Sequence, residues 1–225
     1  MAPRDNDMDQ RLLEELQREF TDALLRGDEP GAEVVLRDAI EADVPEGDID
    51  EVVIAPALRA VGDFWEAGEL TVAEEHLATE IALRVIALQR EAFRVVRRRP
   101  GVVVVLAAME GEQHVVGLRM AGSLLAHAGY DVKQLGASVP VADLGAIIDR
   151  HEPAVVGLSA TMPATATMVA QTVAAVRAVR PSTAIVVGGT GLPDEVLDQP
   201  GLRRCRRAPD VVPVVDGLVQ RASLN

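Results

Sequence analysis

Aromatic side chains are scarce in this chain. Trp65, Tyr130 and three phenylalanines make up the 2% aromatic content of 225 residues. The core must therefore be aliphatic, and the 48% apolar fraction, supplied mainly by Ala, Val and Leu, suits helices packed on a parallel sheet. Cysteine is almost absent. The single Cys205 excludes an intrachain disulfide and agrees with a reducing compartment. Long apolar runs are missing, because Arg or Asp interrupts each stretch before it reaches membrane-spanning length. Residues Met1 to Gln10 are charged and polar, unlike a secretory leader. The expectation is a cytoplasmic protein with no membrane partner. Positive charge is in deficit, with 22 Lys and Arg against 35 Asp and Glu and a net charge of −13. Nucleic-acid affinity depends on neutralising phosphates with cations, so direct nucleic-acid binding is not expected. The basic runs Arg97-Arg98-Arg99 and Arg203-Arg204 with Arg206-Arg207 read as solvated surface.

Two halves with different periodicities are expected, 1–98 and 99–225, divided near Pro100. In the first, Leu12, Leu13, Leu16, Phe20 and Leu24 repeat at helical spacing, and Gly27 ends that helix. A second helix is expected from about Pro30 to Ala42 and a third from about Ile49 to Ala67, closed by Gly68. A fourth opens on the capping box Thr71-Val72-Ala73-Glu74 and continues to about Arg97. Four helices joined by short loops make a bundle. After Pro100, strands alternate with helices. Strands are expected over Val102–Ala107, Tyr130–Leu135, Ala154–Ser159, Ala184–Val187 and near Arg204. Helices are expected over Val115–Ala128, Val141–His151, Thr165–Val179 and Pro213–Ala222. The fold class is α/β: a helical bundle followed by a doubly wound, flavodoxin-like parallel sheet of five strands.

Three features lie at the expected carboxyl ends of strands, where open α/β sheets bind ligands. The first is Glu112-x-His114-x-x-Gly117. A carboxylate two residues before a histidine can hold one ring nitrogen and leave the other for a metal. The second is the small and hydroxyl-rich segment Gly157 to Thr165, with Ser159, Thr161 and Thr165. The third is Gly188-Gly189. Together they would leave a slot for a long, narrow ligand. Singly, each has an ordinary reading: a histidine at a helix start, a hydroxyl capping a helix, a tight turn. No Ser/His/Asp arrangement or carboxylate pair suggests an enzyme. Gly188-Gly189-Thr190-Gly191 lacks the lysine of a phosphate loop.

In order and spacing, these features resemble the cobalamin-binding domain shared by methionine synthase, the B12 mutases and corrinoid methyltransferase proteins. That family carries Asp-x-His-x-x-Gly, a Ser-x-Leu segment and a Gly-Gly pair. The resemblance implies that His114 is the lower axial ligand of cobalt and Glu112 its hydrogen-bond partner. It implies that Gly117, Ser159, Thr161, Thr165, Gly188 and Gly189 surround the nucleotide tail of the cofactor. Glu112 stands where the family has Asp, and Thr161 where it has Leu.

The first half narrows the resemblance. Trp65-x9-Glu75-His76 is similar to the Trp-x9-Glu-His signature of CarH-like light-sensing cobalamin proteins, which also carry Glu in the histidine loop. By that resemblance, residues 1–98 are a helical cap and Trp65 covers the upper, adenosyl ligand of adenosylcobalamin, with Glu75 and His76 contacting it. Light cleaves the Co–C bond, and the readout is a light-dependent change of homo-oligomeric state or of a downstream protein partner. Two departures stand out. No DNA-reading domain is expected, and Glu66 follows Trp65 where the repressors have a cobalt-ligating histidine. Some relatives also hold a bilin such as biliverdin, for which the sequence shows no dedicated site. The alternative is a corrinoid carrier protein of a methyltransferase system.

Overall fold

The computed structural model describes residues 5–93, 99, 101–192 and 202–222. The chain forms two compact units that divide after Phe93. The expected extension of the fourth helix to Arg97, and the expected break at Pro100, lie outside the described residues.

The first unit is helical, as its periodicity requires. Helix α1 (Asp5–Arg26) buries Leu16, Phe20, Ala23 and Leu24 along one stripe. It stops at Gly27, whose φ is +64°. There the Gly27 amide donates to Leu24 O (3.0 Å) and the Asp28 amide to Ala23 O (2.9 Å), a Schellman closure that needs a left-handed residue. Asp28 then caps α2 (Glu29–Glu41) by accepting from the Gly31 amide.

The stretch expected as one helix from 49 to 67 starts earlier and changes pitch. It comprises α3 (Glu46–Asp48), a π-helical turn (Ile49–Ile54) and α4 (Ala55–Glu66). The Ala55 amide reaches back to Asp50 O, five residues away. Pro56 follows and has no amide to donate, so the wider turn is placed where an i→i−4 bond could not form. Helix α5 (Val72–Ala92) opens on the expected capping box. The Thr71 amide donates to Glu74 Oε2 (2.8 Å), and the Glu74 amide donates to Thr71 Oγ1 (3.3 Å). Helix α1 packs on α2, α4, α5 and the π turn, and α5 packs on α2 and α4. Arg84 of α5 bridges Glu29 and Glu33 of α2 at 2.8 and 2.7 Å, a surface clasp of modest worth.

The second unit is the doubly wound sheet. Its strands are β1 (Val103–Ala108), β2 (Asp131–Gly136), β3 (Val155–Ser159), β4 (Ala184–Gly188) and β5 (Leu202–Cys205). They lie in the order β2-β1-β3-β4-β5, all parallel. Alternation along β1 divides the core in two. Val105 and Ala107 join Leu144 and Ile148 of α7 (Val141–His151) and Val169, Val173 and Val176 of α8 (Ala166–Val179). Val104, Leu106 and Ala108 join Leu118 and Leu125 of α6 (Val116–His127) and Val211 and Val215 of α9 (Val211–Ala222). Helices therefore cover both faces, as a buried parallel sheet requires. The chain leaves β1 towards β2 on one face and returns from β2 to β3 on the other. This puts the topological switch point, and hence the ligand crevice of such a fold, at the carboxyl ends of β1 and β3. Helix α9 starts at Val211, two residues before the expected Pro213, because a 3-10 turn (Ala208–Asp210) leads into it.

Candidate cofactor site

The loop after β1 is laced to the loops after both neighbouring strands. The Met109 amide donates to Ser159 O (2.9 Å), and the Val139 amide donates to Ala108 O (3.1 Å). Glu112 is at the centre of this lacing. Its Oε1 accepts from the His114 amide (2.7 Å) and lies 2.6 Å from His114 Nδ1. Its Oε2 accepts from the amides of Thr161 (2.5 Å) and Met162 (2.7 Å). Glu112 is only 4% exposed. Burial by itself pushes its carboxyl up. The backbone amides of His114 and Met162, the His114 ring and the Thr161 amide outweigh burial and hold the group below the ordinary carboxylate range.

That ionisation fixes the chemistry of His114. An ionised carboxylate only accepts, so Nδ1 must carry a proton and donate it. In the neutral form of the ring the lone pair is then on Nε2, the atom available to a metal. The His114 side chain is 56% exposed, so the imidazole is held at one edge and open at the rest. Gly117, in the first turn of α6, faces open space, with no atom within 4 Å of where a Cβ would stand.

The loops after β3 and β4 interlock. The Ala160 amide donates to Gly188 O (3.0 Å), the Gly191 amide to Ala160 O (3.0 Å) and the Ala164 amide to Gly191 O (2.8 Å). A Cβ at Gly189, where φ is +103°, would lie 2.1 Å from Ala160 O, and one at Gly191 would lie 1.9 Å from Met162 O. These two positions are glycine because another backbone occupies the side-chain volume. A Cβ at Gly188 would sit 3.3 Å from Cys205 O. Thr165 caps α8, its hydroxyl accepting from the Met168 amide at 3.1 Å. Ser159 ends β3, paired with Ala108 and Gly188. Thr161 is exposed, and its carbonyl accepts from the Thr190 hydroxyl at 3.3 Å.

Sequence reasoning missed Ser138. It sits in the loop after β2 with φ +45°, uncommon for a residue with a side chain. Its amide donates to Glu112 O (2.8 Å), and its Oγ accepts from the Gly111 amide (3.0 Å). Glu112 is thus gripped by its carbonyl from the β2 side and by its carboxylate from the β3 side. A signal was present in Gly136-Ala137-Ser138, a turn-forming composition after a strand.

In the helical unit, Gly68 and the amides of Glu69 and Leu70 close the turn after α4 on Trp65 O and Phe64 O. Trp65 is not core filler: it is 45% exposed, and Phe64, Val72 and Leu77 are exposed apolar residues near it in sequence. Glu75 and His76 are brought together, with His76 Nε2 3.5 Å from Glu75 Oε2, and Thr79 donates to Glu75 Oε1 at 2.9 Å.

Arg99 departs from the solvated reading of its basic run. Its guanidinium lies 4.6 Å from the Tyr130 ring centroid, donates to Tyr130 OH (2.8 Å) and pairs with Asp216. Burial, followed by the bond to Asp216, raises the Tyr130 phenol. Asp216 is held low by Tyr130 and Arg99 despite its own burial. Cys205 is buried, and burial pushes its thiol up to about 11, so it is a packing residue. Among the described residues no cluster of three or more His, Cys, Asp or Glu could hold a metal ion, and no helix is long and apolar enough to cross a membrane.

A doubly wound sheet with helices on both faces and a carboxylate-held imidazole at its switch point is a Rossmann-like domain. Residues 102–208 match a family model described as a B12 binding domain, and residues 16–88 match a second model of the same description. Over these two stretches the chain belongs to the cobalamin-binding (B12-binding) domain family. It is 39% identical over 132 residues to the HTH-type transcriptional repressor CarH of Myxococcus xanthus, covering 59% of this chain and 43% of that protein. It is 23% identical over 128 residues to monomethylamine corrinoid protein 2 of Methanosarcina acetivorans, covering 56% of this chain and 58% of that one. The chain thus matches about half the length of these relatives. Among solved structures it is similar to the monomethylamine corrinoid protein of Methanosarcina barkeri, with a TM-score of 0.71 and 21% identity over 89% of this chain and 97% of that one. This likeness shows the shared fold.

Proposed function

We propose that this chain is a cobalamin-dependent photoreceptor module rather than an enzyme. In this reading His114 would hold the cobalt of adenosylcobalamin through Nε2. The output is a light-dependent change of homo-oligomeric state or of binding to a downstream protein. One observation carries the binding half of the reading: Glu112 holds Nδ1 of His114 at 2.6 Å while the side chain stays more than half exposed.

When bound, adenosylcobalamin supplies a cobalt–carbon bond that visible light breaks. The protein's own residues do the rest. Glu112 keeps the Nδ1 proton in place, so Nε2 keeps a lone pair in one direction. The Thr161 and Met162 amides stop the carboxylate from swinging, which fixes the direction of the ring, while the carboxylate's own hydrogen bond to Nδ1 raises the basicity of the ligand. Gly117 leaves room above α6, and Ser159, Thr161, Thr165, Gly188 and Gly189 line the path of the nucleotide tail. Trp65, an exposed apolar ring, would meet the adenosyl group, with Glu75 and His76 as polar contacts. Loss of that group would take packing from a large ring, enough to shift a two-state equilibrium. Glu66 supplies no imidazole, so any nitrogen ligand after illumination must come from elsewhere, and His76 is the candidate on this unit. Nothing in the site argues for a bilin.

The test is an absorption spectrum of the adenosylcobalamin-loaded protein before and after green light, run beside gel filtration. Light should change the spectrum faster than for free cofactor and shift the elution. His114→Ala should lose the spectral signature of nitrogen ligation. A second reading, the corrinoid carrier of a methyltransferase system, is favoured by the sequence similarity to monomethylamine corrinoid protein 2 of Methanosarcina acetivorans. It predicts methyl transfer to and from the bound cobalt and no light-dependent elution. The Trp65-x9-Glu75-His76 signature and the Glu at 112 support the photoreceptor.

A further inference from the structure

Among the described residues, two buried side-chain acceptors lack a donor, and both lie in the helical unit: Asp50 Oδ2 and Gln89 Oε1. Their residues are each 1% exposed. They already share one hydrogen bond, because Gln89 Nε2 donates to Asp50 Oδ1 at 3.0 Å and to Glu46 O at 3.2 Å. Two acceptors on the same nitrogen fix the orientation of the amide, since turning it over would set Oε1 against a carbonyl and a carboxyl oxygen. With the amide fixed, Gln89 Oε1 needs a donor that a carboxylate cannot be. A carboxylic acid can be one. A single proton on Oδ2 converts one starved acceptor into the donor that the other requires, and it removes a buried charge at the same time.

The surroundings favour that proton. Asp50 lies in the π-helical turn (Ile49–Ile54), next to Glu51 and beyond Glu46 of α3, and both neighbours share its sign. Helix α1, packed on the turn, directs Leu16, Phe20, Ala23 and Leu24 inward, and its charged residues from Arg11 to Arg26 are exposed. Arg59, Asp63 and Glu66 of α4 are exposed, as are Glu80, Arg84, Arg90 and Glu91 of α5.

We propose that Asp50 and Gln89 form a neutral acid–amide lock. Asp50 Oδ2–H donates to Gln89 Oε1 and pins the π turn to α5, so the order of the helical stretch that ends in Trp65 depends on proton concentration. Deprotonation sends the proton to solvent, leaves Gln89 Oε1 without a donor and strands an anion in an aliphatic core. The lock belongs to the helical unit alone and does not depend on the cofactor reading.

The pH window follows from the same surroundings. Burial chiefly, helped by Glu46 and Glu51 and opposed by the Gln89 bond, pushes Asp50 from 3.8 to about 7. Between those values the folded chain holds a proton that the unfolded chain has lost. This group's contribution is complete below 3.8, falls as pH rises towards about 7, and is gone above it. Glu74, Glu112, Asp210 and Asp216 are all held low, so their opposite contribution is complete once pH passes the ordinary carboxylate range, and above about pH 5.5 they do not mask the fall.

Two measurements on the full chain test the lock. Infrared spectra should show a protonated-carboxyl stretch near pH 6 that is lost by about pH 9 and is missing from Asp50→Asn. The melting midpoint of the wild type should fall by ~5 °C between about pH 5.5 and pH 8.5. Asp50→Asn, whose amide donates at any pH, should abolish that fall. Absence of the stretch near pH 6, or an equal fall in Asp50→Asn, would overturn the proposal. If Asp50→Asn does not fold, the wild-type infrared titration decides alone.

Discussion

Asp50 in the helical unit and Glu112 in the sheet unit are both buried carboxyls, exposed by 1% and 4%, and the protein treats them in opposite ways. Glu112 meets three backbone amides and an imidazole and is held below the ordinary range. Asp50 meets one amide nitrogen and two acids of its own sign, and is pushed up to about 7. Burial pushes both carboxyls up; in Glu112 the donors that reach the oxygens outweigh it, and in Asp50 the single Gln89 bond does not. The sheet can supply those donors because strand-end loops expose amides that no helix or ladder uses. A helical bundle has few to offer, since its backbone amides are consumed within the helices. One carboxyl is therefore a rigid anion fit to orient a ligand, and the other is a store for a proton.

Removing the carboxyl from each unit breaks the comparison most sharply. Glu112→Ala leaves the amides of His114, Thr161 and Met162 without an acceptor, and should cost ~3–5 kcal/mol in urea unfolding. Asp50→Asn should cost little or be stabilising above about pH 7, where it replaces a buried anion. Equal losses at both positions would mean that burial, not donor count, sets the outcome. Gly189→Ala comes next. It places a methyl 2.1 Å from Ala160 O at a φ of +103° and should cost ~3 kcal/mol. A variant as stable as wild type would show that the loops after β3 and β4 are not held together as described. Arg99→Ala removes a ring contact and a partly exposed ion pair and should cost ~1 kcal/mol. Trp65→Ala should change apo stability by only ~1 kcal/mol, because nearly half of the side chain is already exposed. The photoreceptor reading requires it to abolish the light-dependent elution all the same. A large loss of apo stability in Trp65→Ala would return the tryptophan to the core.

The readable parts share one property: they depend on neighbours along the chain. Leu16, Phe20 and Leu24 announce a helix by spacing, Thr71 and Glu74 cap one by proximity, and Val141–His151 was delimited by its own pattern. His114 and Glu112 stood two residues apart, so their hydrogen bond was legible before any fold was known. The π-helical turn was not, because its cause, a missing amide at Pro56, gives the same apolar pattern as an ordinary helix. Arg99 looked like one more surface cation because Tyr130 and Asp216, which engage it, lie 31 and 117 residues away.

The sequence by itself determined the two kinds of periodicity, the strand-and-helix alternation of the second unit, and the pairing of a histidine with a nearby carboxylate, all of which are short-range. Only the tertiary structure decided that Glu112 also reaches Thr161 and Met162, that Ser138 grips the same loop, that Gly189 and Gly191 make room for foreign backbone, and that Asp50 meets Gln89. Donor counts and excluded volume are properties of the space around an atom. That space is filled by residues whose distance along the chain carries no record of their approach.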